Sequence, residues 1–181
     1  TRRGRGGRSR RAEPEPHAVE TELSVPFLTA ALGGKISLQV DGKQIDVRIP
    51  AGVEEGKSLR LSGQGPGGAD LHLKIKIEPH AFFRREGADV ILDVPLSVTE
   101  AVLGTKVEVP LLDATRLVVK VPPGTSSGRR IRLRGKGMNG GDLYLETKIV
   151  AQAPTSDRAR DLMEEFAKVQ PYNARADVPW A

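Results

Sequence analysis

Cysteine is missing from this 181-residue chain, which excludes disulfides, thiol catalysis and cysteine-ligated zinc. Aromatic residues are scarce, at 4%, and no apolar run approaches the roughly 18 to 20 residues that a membrane-spanning helix needs. The chain starts at Thr1 without a methionine or an apolar signal segment, so we expect a piece of a longer protein. The lack of cysteine is compatible with a reducing compartment, and we predict a cytoplasmic location with no membrane partner.

Acidic residues are absent from the first eleven positions, where the positive charge of the chain is concentrated. The formal net charge of the whole chain is +5. Six of its basic residues are Arg2, Arg3, Arg5, Arg8, Arg10 and Arg11. The other 22 basic and 23 acidic residues give the rest of the chain a net charge of −1, so only the N-terminal segment is basic.

The segment 1–18 contains no apolar side chain larger than alanine, and we predict a disordered linker rich in arginine and glycine. Its composition resembles nucleic-acid-binding tails, although it has no aromatic side chain to stack on a base. Two interpretations stay open at this point. The six arginines either keep a solvated linker extended or bind nucleic-acid phosphates in a salt-sensitive way.

From Val19 onward the apolar residues alternate, and 20 glycines with 13 prolines favour short strands over long helices. The alternation predicts strands at 23–27, 36–40 and 45–49. An Asp-Gly-Lys turn at 41–43 separates the last two, so we predict a hairpin there.

The same pattern returns some seventy residues later, as an internal repeat. Residues 23–35 match 94–106 at an offset of 71, and residues 47–73 match 119–145 at an offset of 72. Most of the shared positions in the second match are glycine, proline, arginine, aspartate or leucine. Two copies built of alternating strands predict two similar domains in tandem.

We therefore predict an all-β fold with two β-sandwich-like domains, at 19–79 and 89–151, joined by a linker at 80–88. After the second domain the apolar period changes to 3.6 residues, which predicts one amphipathic helix at 155–170 with a tail at 171–181. The apolar face of that helix holds Ala159, Leu162, Met163, Phe166 and Val169. Because such a helix is marginal alone, we expect it to pack on the second domain or on another subunit.

Asp157 is the expected N-cap of this helix, and Pro171 follows its end.

Elsewhere, GVEEGKS at 52–58 resembles a phosphate-binding loop but has three residues between its glycines instead of four. GQGPGG at 63–68 and GKGMNG at 135–140 match a dinucleotide fingerprint, but alternating strands follow them where a helix is required. We interpret all three as turns.

His17, His72 and His80 lie in the tail, a strand and the linker, with no catalytic or metal-ligand spacing around them. We therefore predict that the chain is not an enzyme and holds no cofactor or metal. The repeat preserves only Asp70 and Asp142 among the carboxylates. Both stand where a turn meets a strand, and we expect each to accept backbone N–H bonds.

Each copy of the repeat carries the same motifs in the same order: A-x-x-G-x-K, then P-x-G-x-x-x-G, then R-L-x-G-x-G. With EPHAFFRREGAD between the copies, this pattern resembles the C-terminal substrate-binding domains of the DnaJ family of co-chaperones. The resemblance covers about residues 19–169. The lack of cysteine makes the chain similar to zinc-free members, such as bacterial curved-DNA-binding homologues of DnaJ.

The resemblance implies a co-chaperone fragment that binds unfolded client polypeptides and delivers them to a DnaK-type chaperone. It also implies a homodimer, with Leu162, Met163 and Phe166 of the C-terminal helix at the contact. The His-Pro-Asp tripeptide of a J domain is absent from the sequence, so we expect that domain upstream of Thr1.

Client binding in the family implies a groove on the strands that follow the Leu-Gly-Gly-Lys motif. Here those strands hold Ile36, Leu38, Val40, Ile45 and Val47. The same alternation would equally make these residues core. Lys35 is expected to bind the acidic tail of the DnaK-type partner, with a solvated turn lysine as the alternative.

Nucleic-acid binding is the alternative function, with the chain as a nucleoid-associated DNA-binding protein. Its site would be the six arginines of the tail, because the rest of the chain has almost no net charge. The resemblance to curved-DNA-binding homologues supports this alternative.

Overall fold

A computed structural model describes residues 19–177, which form eleven strands and three α-helices. The strands are β1 (Val19–Pro26), β2 (Gly34–Val40), β3 (Lys43–Ile49), β4 (Ser58–Leu61), β5 (Leu71–Glu78), β6 (Phe83–Glu86), β7 (Asp89–Ser97), β8 (Thr105–Pro110), β9 (Arg116–Val121), β10 (Arg130–Leu133) and β11 (Leu143–Val150). The helices are α1 (Phe27–Leu32), α2 (Val98–Leu103) and α3 (Asp157–Val169). The predicted all-β fold, with two similar units and a C-terminal helix, is confirmed. Within this part of the chain no helix is long and apolar enough to cross a membrane.

The first copy of the repeat folds into a three-stranded sheet and a separate hairpin. Strand β5 is central in the sheet, with β1 parallel to it on one side and β4 antiparallel on the other. Strands β2 and β3 form the antiparallel hairpin. Both sheets contribute to one core, whose buried members are Leu23, Val25, Ala30, Val47, Ile49, Val53, Leu71, Leu73 and Ile75.

The second copy repeats this topology and adds one strand. Strand β11 is flanked by the parallel β7 and the antiparallel β10, and β8 with β9 forms the hairpin. The added strand β6 pairs antiparallel with the other edge of β7. The core of this copy includes Phe27 and Ala31 from the first copy, so the two domains share apolar contacts.

Strand β6 lies inside segment 80–88, which the sequence predicts as a linker. Its residues pair with Asp89–Leu92 of β7, and Phe83 is 3% exposed. Just before it, the His80 ring packs against the rings of Phe27 and Phe82. The segment is therefore anchored to the second domain by backbone pairing, and its His80 contacts Phe27 of the first copy by aromatic packing.

The predicted hairpin over 36–49 is confirmed as the pair β2–β3. Its turn places Asp41 and Gly42 in the left-handed region, with φ of 48° and 75°. Consecutive positive φ values give a tight turn whose twist matches the flanking strands, which is why an Asp-Gly pair suits it.

Two short helices, α1 and α2, interrupt the alternation that predicts continuous strand. The pattern places Phe27 in a strand, but Phe27 is the first residue of α1 and is 6% exposed. Ser97 and Glu100 form a capping box at the start of α2. Gly104 ends α2 with φ of 78°, and a Cβ there would lie 2.9 Å from the nitrogen of Pro123. Caps and tertiary packing stabilise helices of this length. Such helices are too short for a helical periodicity to be detected in the sequence.

Helix α3 confirms the predicted C-terminal helix, with bounds of Asp157–Val169. The prediction that Asp157 caps it was wrong by one residue. The cap is Ser156, whose Oγ accepts a hydrogen bond from the Ala159 amide at 3.2 Å. Asp157 instead stands in the first turn, where its negative charge interacts favourably with the positive end of the helix dipole.

Candidate functional site

The β2–β3 hairpin places all five expected groove residues on one face. Ile36 stands directly opposite Val47, and Leu38 stands opposite Ile45. Val40 follows on the same face of β2, because successive side chains of a strand alternate between its faces. We call Ile36, Leu38, Val40 and Ile45 the hairpin face.

The depth of burial separates Val47 from the hairpin face. Val47 is 1% exposed and belongs to the core of the first domain, together with Ile49. The four residues of the hairpin face are partly exposed and pack against that core at its margin. Four of the five expected residues are therefore partly exposed, whereas Val47 lies on the same face but is buried in the core.

The backbone beside the hairpin face is also available. Strand β2 pairs with β3 on one side and with no other strand among residues 19–177. Its outer edge therefore carries backbone N–H and C=O groups without a strand partner. An added β-strand can form hydrogen bonds with such groups. Strand β3 has an unpaired outer edge as well, but β2 contributes three residues to the hairpin face and β3 contributes one.

A related cavity lies in the second domain, between β7 and the hairpin strand β8. Strand β6 pairs with β7 only as far as Leu92, so residues 93–97 have an open edge in the part of the chain described. The cavity has a volume of about 520 Å³. It is lined by Phe82, Leu92, Asp93, Val94, Pro95, Val107, Glu108, Val109 and Pro110. Each domain thus presents apolar surface beside an open strand edge, on β2 in the first domain and on β7 in the second.

The carboxylates at this cavity are already paired. Asp93 accepts a hydrogen bond from Arg84 at 2.7 Å and also binds Lys148. The Lys148 ammonium is the main cause that lowers the pKa of Asp93. Glu108 binds Arg116 at 3.0 Å. With their charges compensated, these carboxylates do not make the cavity anionic.

Lys35 is exposed at the start of β2, directly opposite Arg48 of β3. Neither side chain has a carboxylate within 4.0 Å among residues 19–177. The two cations lie on the outer face of the hairpin, away from the core. The sequence predicts Lys35 as a candidate but gives no sign of Arg48, because the residue opposite Lys35 is known only from the strand register.

The expected dimer residues Leu162, Met163 and Phe166 are 48%, 48% and 43% exposed. No residue of α3 is buried in the single chain. Apolar side chains of this size that remain half exposed on one helix face leave that face available for a partner. The expected nucleic-acid residues, Arg2 to Arg11, lie outside the described residues.

Asp70 and Asp142 close the glycine turns of the two copies, and the prediction that each accepts a backbone N–H is confirmed. Asp142 accepts from the amide of Gly135 at 2.7 Å and from Nε of Arg132 at 2.5 Å. The Gly135 amide, followed by Arg132, lowers the pKa of Asp142 below its ordinary value of 3.8. Equivalent contacts, the backbone amide first, lower the pKa of Asp70. Both carboxylates are structural, and residues 19–177 contain no group of histidines and carboxylates that could hold a metal ion.

Comparison with known proteins agrees with this architecture. Residues 19–154 match the family described as "DnaJ C terminal domain". A chaperone protein DnaJ from Chelativorans sp. is 45% identical over 139 residues, which cover 70% of this chain and 37% of the relative. Proteins of the same name from Mesorhizobium japonicum and Brucella canis are 43% identical over the same shares.

The chain therefore spans little more than a third of the length of these relatives. The matched region contains both β domains, with their duplicated motifs and the strand β6 between them. A match over three quarters of the chain establishes the family. The chain belongs to the DnaJ C-terminal domain family.

Proposed function

We propose that the chain binds unfolded polypeptide as an added β-strand along β2, as the client-binding part of a DnaJ-type co-chaperone. The observation that supports this function is the open edge of β2 beside the partly exposed hairpin face. Backbone hydrogen bonds to an added strand do not depend on the client's sequence, and an apolar face accepts its alternate side chains. This combination suits segments that are apolar but otherwise unrelated.

The cavity between β7 and β8 supports a second contact for the same client. Its apolar lining and the open edge at residues 93–97 offer the same two kinds of interaction. An extended client long enough to reach both domains would then gain from two linked weak contacts.

Suppression of the aggregation of a denatured client protein tests the groove. Replacing Leu38 and Ile45 with serine removes an apolar pair that stands directly opposite across the hairpin. The matched control replaces Gln39 and Gln44 with serine, because that pair is the next one along and lies on the outer face. We expect the first variant to lose suppression and the control to keep it, with native far-UV circular dichroism in both. A Leu38→Ser, Ile45→Ser variant that still suppresses aggregation would contradict the proposed site.

Delivery to a DnaK-type chaperone forms the next part of the proposal. The opposed Lys35 and Arg48 are exposed cations without a carboxylate partner among residues 19–177, and they suit the acidic tail of such a partner. Replacing both with glutamine should weaken binding of an acidic tail peptide while client binding stays intact. Equal peptide affinity in the variant would remove these residues from the partner site.

A homodimer is proposed on the exposed apolar face of α3. Its three large residues, Leu162, Met163 and Phe166, lie one helical turn or less apart along the chain, so a second copy can cover all of them in one two-fold contact. A cytoplasmic location stays a prediction.

DNA binding is a second candidate function, supported by the concentration of six arginines in the first eleven residues. Such a tail can bind phosphates without sequence preference. Under this proposal the two β domains and α3 provide the scaffold and the dimer, and the tail provides the affinity.

A further inference from the structure

Lys106 of β8 and Lys120 of β9 stand directly opposite each other in the second hairpin. Both side chains are exposed. No carboxylate lies within 4.0 Å of either ammonium in the part of the chain that the structure describes. Like charges directly opposite on an antiparallel pair destabilise the sheet. No structural role within the described residues accounts for this arrangement.

Opposed carboxylates elsewhere in the domain are treated differently. Asp93 and Glu146 stand opposite each other across β7 and β11. Arg84 bridges them, with distances of 2.7 Å to Asp93 and 3.4 Å to Glu146. The fold therefore supplies a counterion where two anions face each other. The two lysines lack the corresponding anion, which a ligand can supply.

An apolar cleft adjoins the two lysines. Its volume is about 260 Å³, and Leu103, Gly104 and Pro123 line it together with Lys106 and Lys120. Leu103 is 75% exposed, although it is the last residue of α2 and fully apolar. Gly104 lies so close to Pro123 that any Cβ would collide with it, so the backbones of the two residues are in contact beside the cleft. The cleft therefore combines an apolar wall with two unneutralised ammonium groups.

We propose that the second domain binds an acidic peptide segment in this cleft, with a carboxylate between Lys106 and Lys120 and an apolar side chain against Leu103. Charge complementarity identifies the carboxylate, and the exposed leucine identifies the apolar neighbour. A small anion such as phosphate would satisfy the lysines but leave Leu103 uncovered. This site is separate from the hairpin face and from Lys35, so it goes beyond the proposed client groove and partner site.

A fluorescently labelled peptide with one leucine between two glutamates tests the site by anisotropy. The measurement uses the full chain with Lys35→Gln and Arg48→Gln, which removes the opposed cations of the first domain. We expect one peptide to bind per chain in this background. Adding Lys106→Gln and Lys120→Gln should weaken it about tenfold or more, since two ion pairs are lost. Arg129→Gln is the matched control, because it removes one exposed cation from the same domain away from the cleft, and it should change the affinity less than twofold.

The chemistry of the ligand is tested with altered probes. Peptides with glutamine for both glutamates, or glycine for the leucine, should each bind more weakly than the parent peptide. Inorganic phosphate should compete only at concentrations where salt of equal ionic strength does so. Equal binding of the glycine peptide, or strong competition by phosphate, would overturn an acidic peptide as the occupant.

A charge-reversed variant separates loss of the site from loss of the fold. Lys120→Glu places opposite charges across β8 and β9, so its melting temperature should be equal to that of the parent or higher while peptide binding is lost. Undiminished binding in Lys120→Glu would overturn the proposal. Aggregation suppression is measured on the same variants, so failure of this cleft and failure of the hairpin face give different results.

Discussion

The guanidinium of Arg85 donates a hydrogen bond to the carbonyl oxygen of Val53 over 2.6 Å. Arg85 belongs to β6 in the second domain, and Val53 is buried in the core of the first. The same guanidinium donates to the carbonyl of Gly52 at 3.2 Å. The two domains are therefore joined by a specific polar contact in addition to the shared apolar core.

Replacing Arg85 with alanine should lower the free energy of unfolding by about 1 to 3 kcal/mol, because the carbonyl of Val53 loses its donor. Urea denaturation followed by circular dichroism measures the change. Arg116→Ala is the control, since it removes an exposed ion pair with Glu108, for which about 1 kcal/mol or less is expected. Equal effects of the two substitutions would show that the Arg85 contact does not stabilise the association of the two domains.

Acid should destabilise the second domain through Asp142. Its folded-state pKa is lowered, so the carboxylate stabilises the fold above its ordinary pKa of 3.8, and this stability is lost as the pH falls through the lower folded value. Asp142→Asn should therefore be less stable at pH 7 and should lose less stability than the parent between pH 5 and the acid limit. Unfolding experiments across this range test the sign. Glu164→Gln on the exposed face of α3 serves as a control, and an unchanged acid response in Asp142→Asn would contradict the role of the carboxylate.

The repeat and the hairpin could be predicted from the sequence because their signals are local. An Asp-Gly turn between two alternating runs determines the β2–β3 pairing, and glycines with an aspartate mark each turn that Asp70 or Asp142 closes. The face of each hairpin residue follows from alternation. The depth of burial does not follow from alternation, since Val47 is buried and Leu38 on the same face is partly exposed.

Features that depend on contacts between distant segments could not be predicted. Strand β6 looks like a linker in the sequence because its four residues form a strand only by pairing with β7. Phe27 continues the alternation of β1 in the sequence, yet it is the first residue of α1. Its ring packs in the core of the other domain, which the sequence does not reveal. The opposition of Lys106 and Lys120 also becomes visible only when the register of β8 and β9 is known.

The dimer proposal predicts that charged residues on α3 produce a folded monomer. Leu162→Asp with Phe166→Asp places two carboxylates on the exposed apolar face, where burial against a second copy would leave them unpaired. Sedimentation velocity measures the assembly state. Glu164→Ser and Glu165→Ser form a control of the same helix that should still dimerise, whereas a dimer of the aspartate variant would exclude this face as the interface.

The DNA-binding proposal predicts a strong dependence on salt. If the six arginines of the tail each neutralise one phosphate, the slope of log K against log salt for duplex DNA is about −5. Removing residues 1–11 should eliminate DNA binding and leave client binding unchanged. Full DNA affinity in the shortened chain would place the site elsewhere.

The central proposal is that a client adds as a strand to β2, and amide hydrogen exchange with and without an unstructured apolar peptide tests it most directly. The account predicts that a saturating peptide slows exchange at alternate amides within Gly34–Val40, those that do not donate to β3. This protection should disappear in the Leu38→Ser, Ile45→Ser variant and persist in the Gln39→Ser, Gln44→Ser control. A bound peptide that leaves exchange unchanged at the β2 amides that do not donate to β3 would contradict the account.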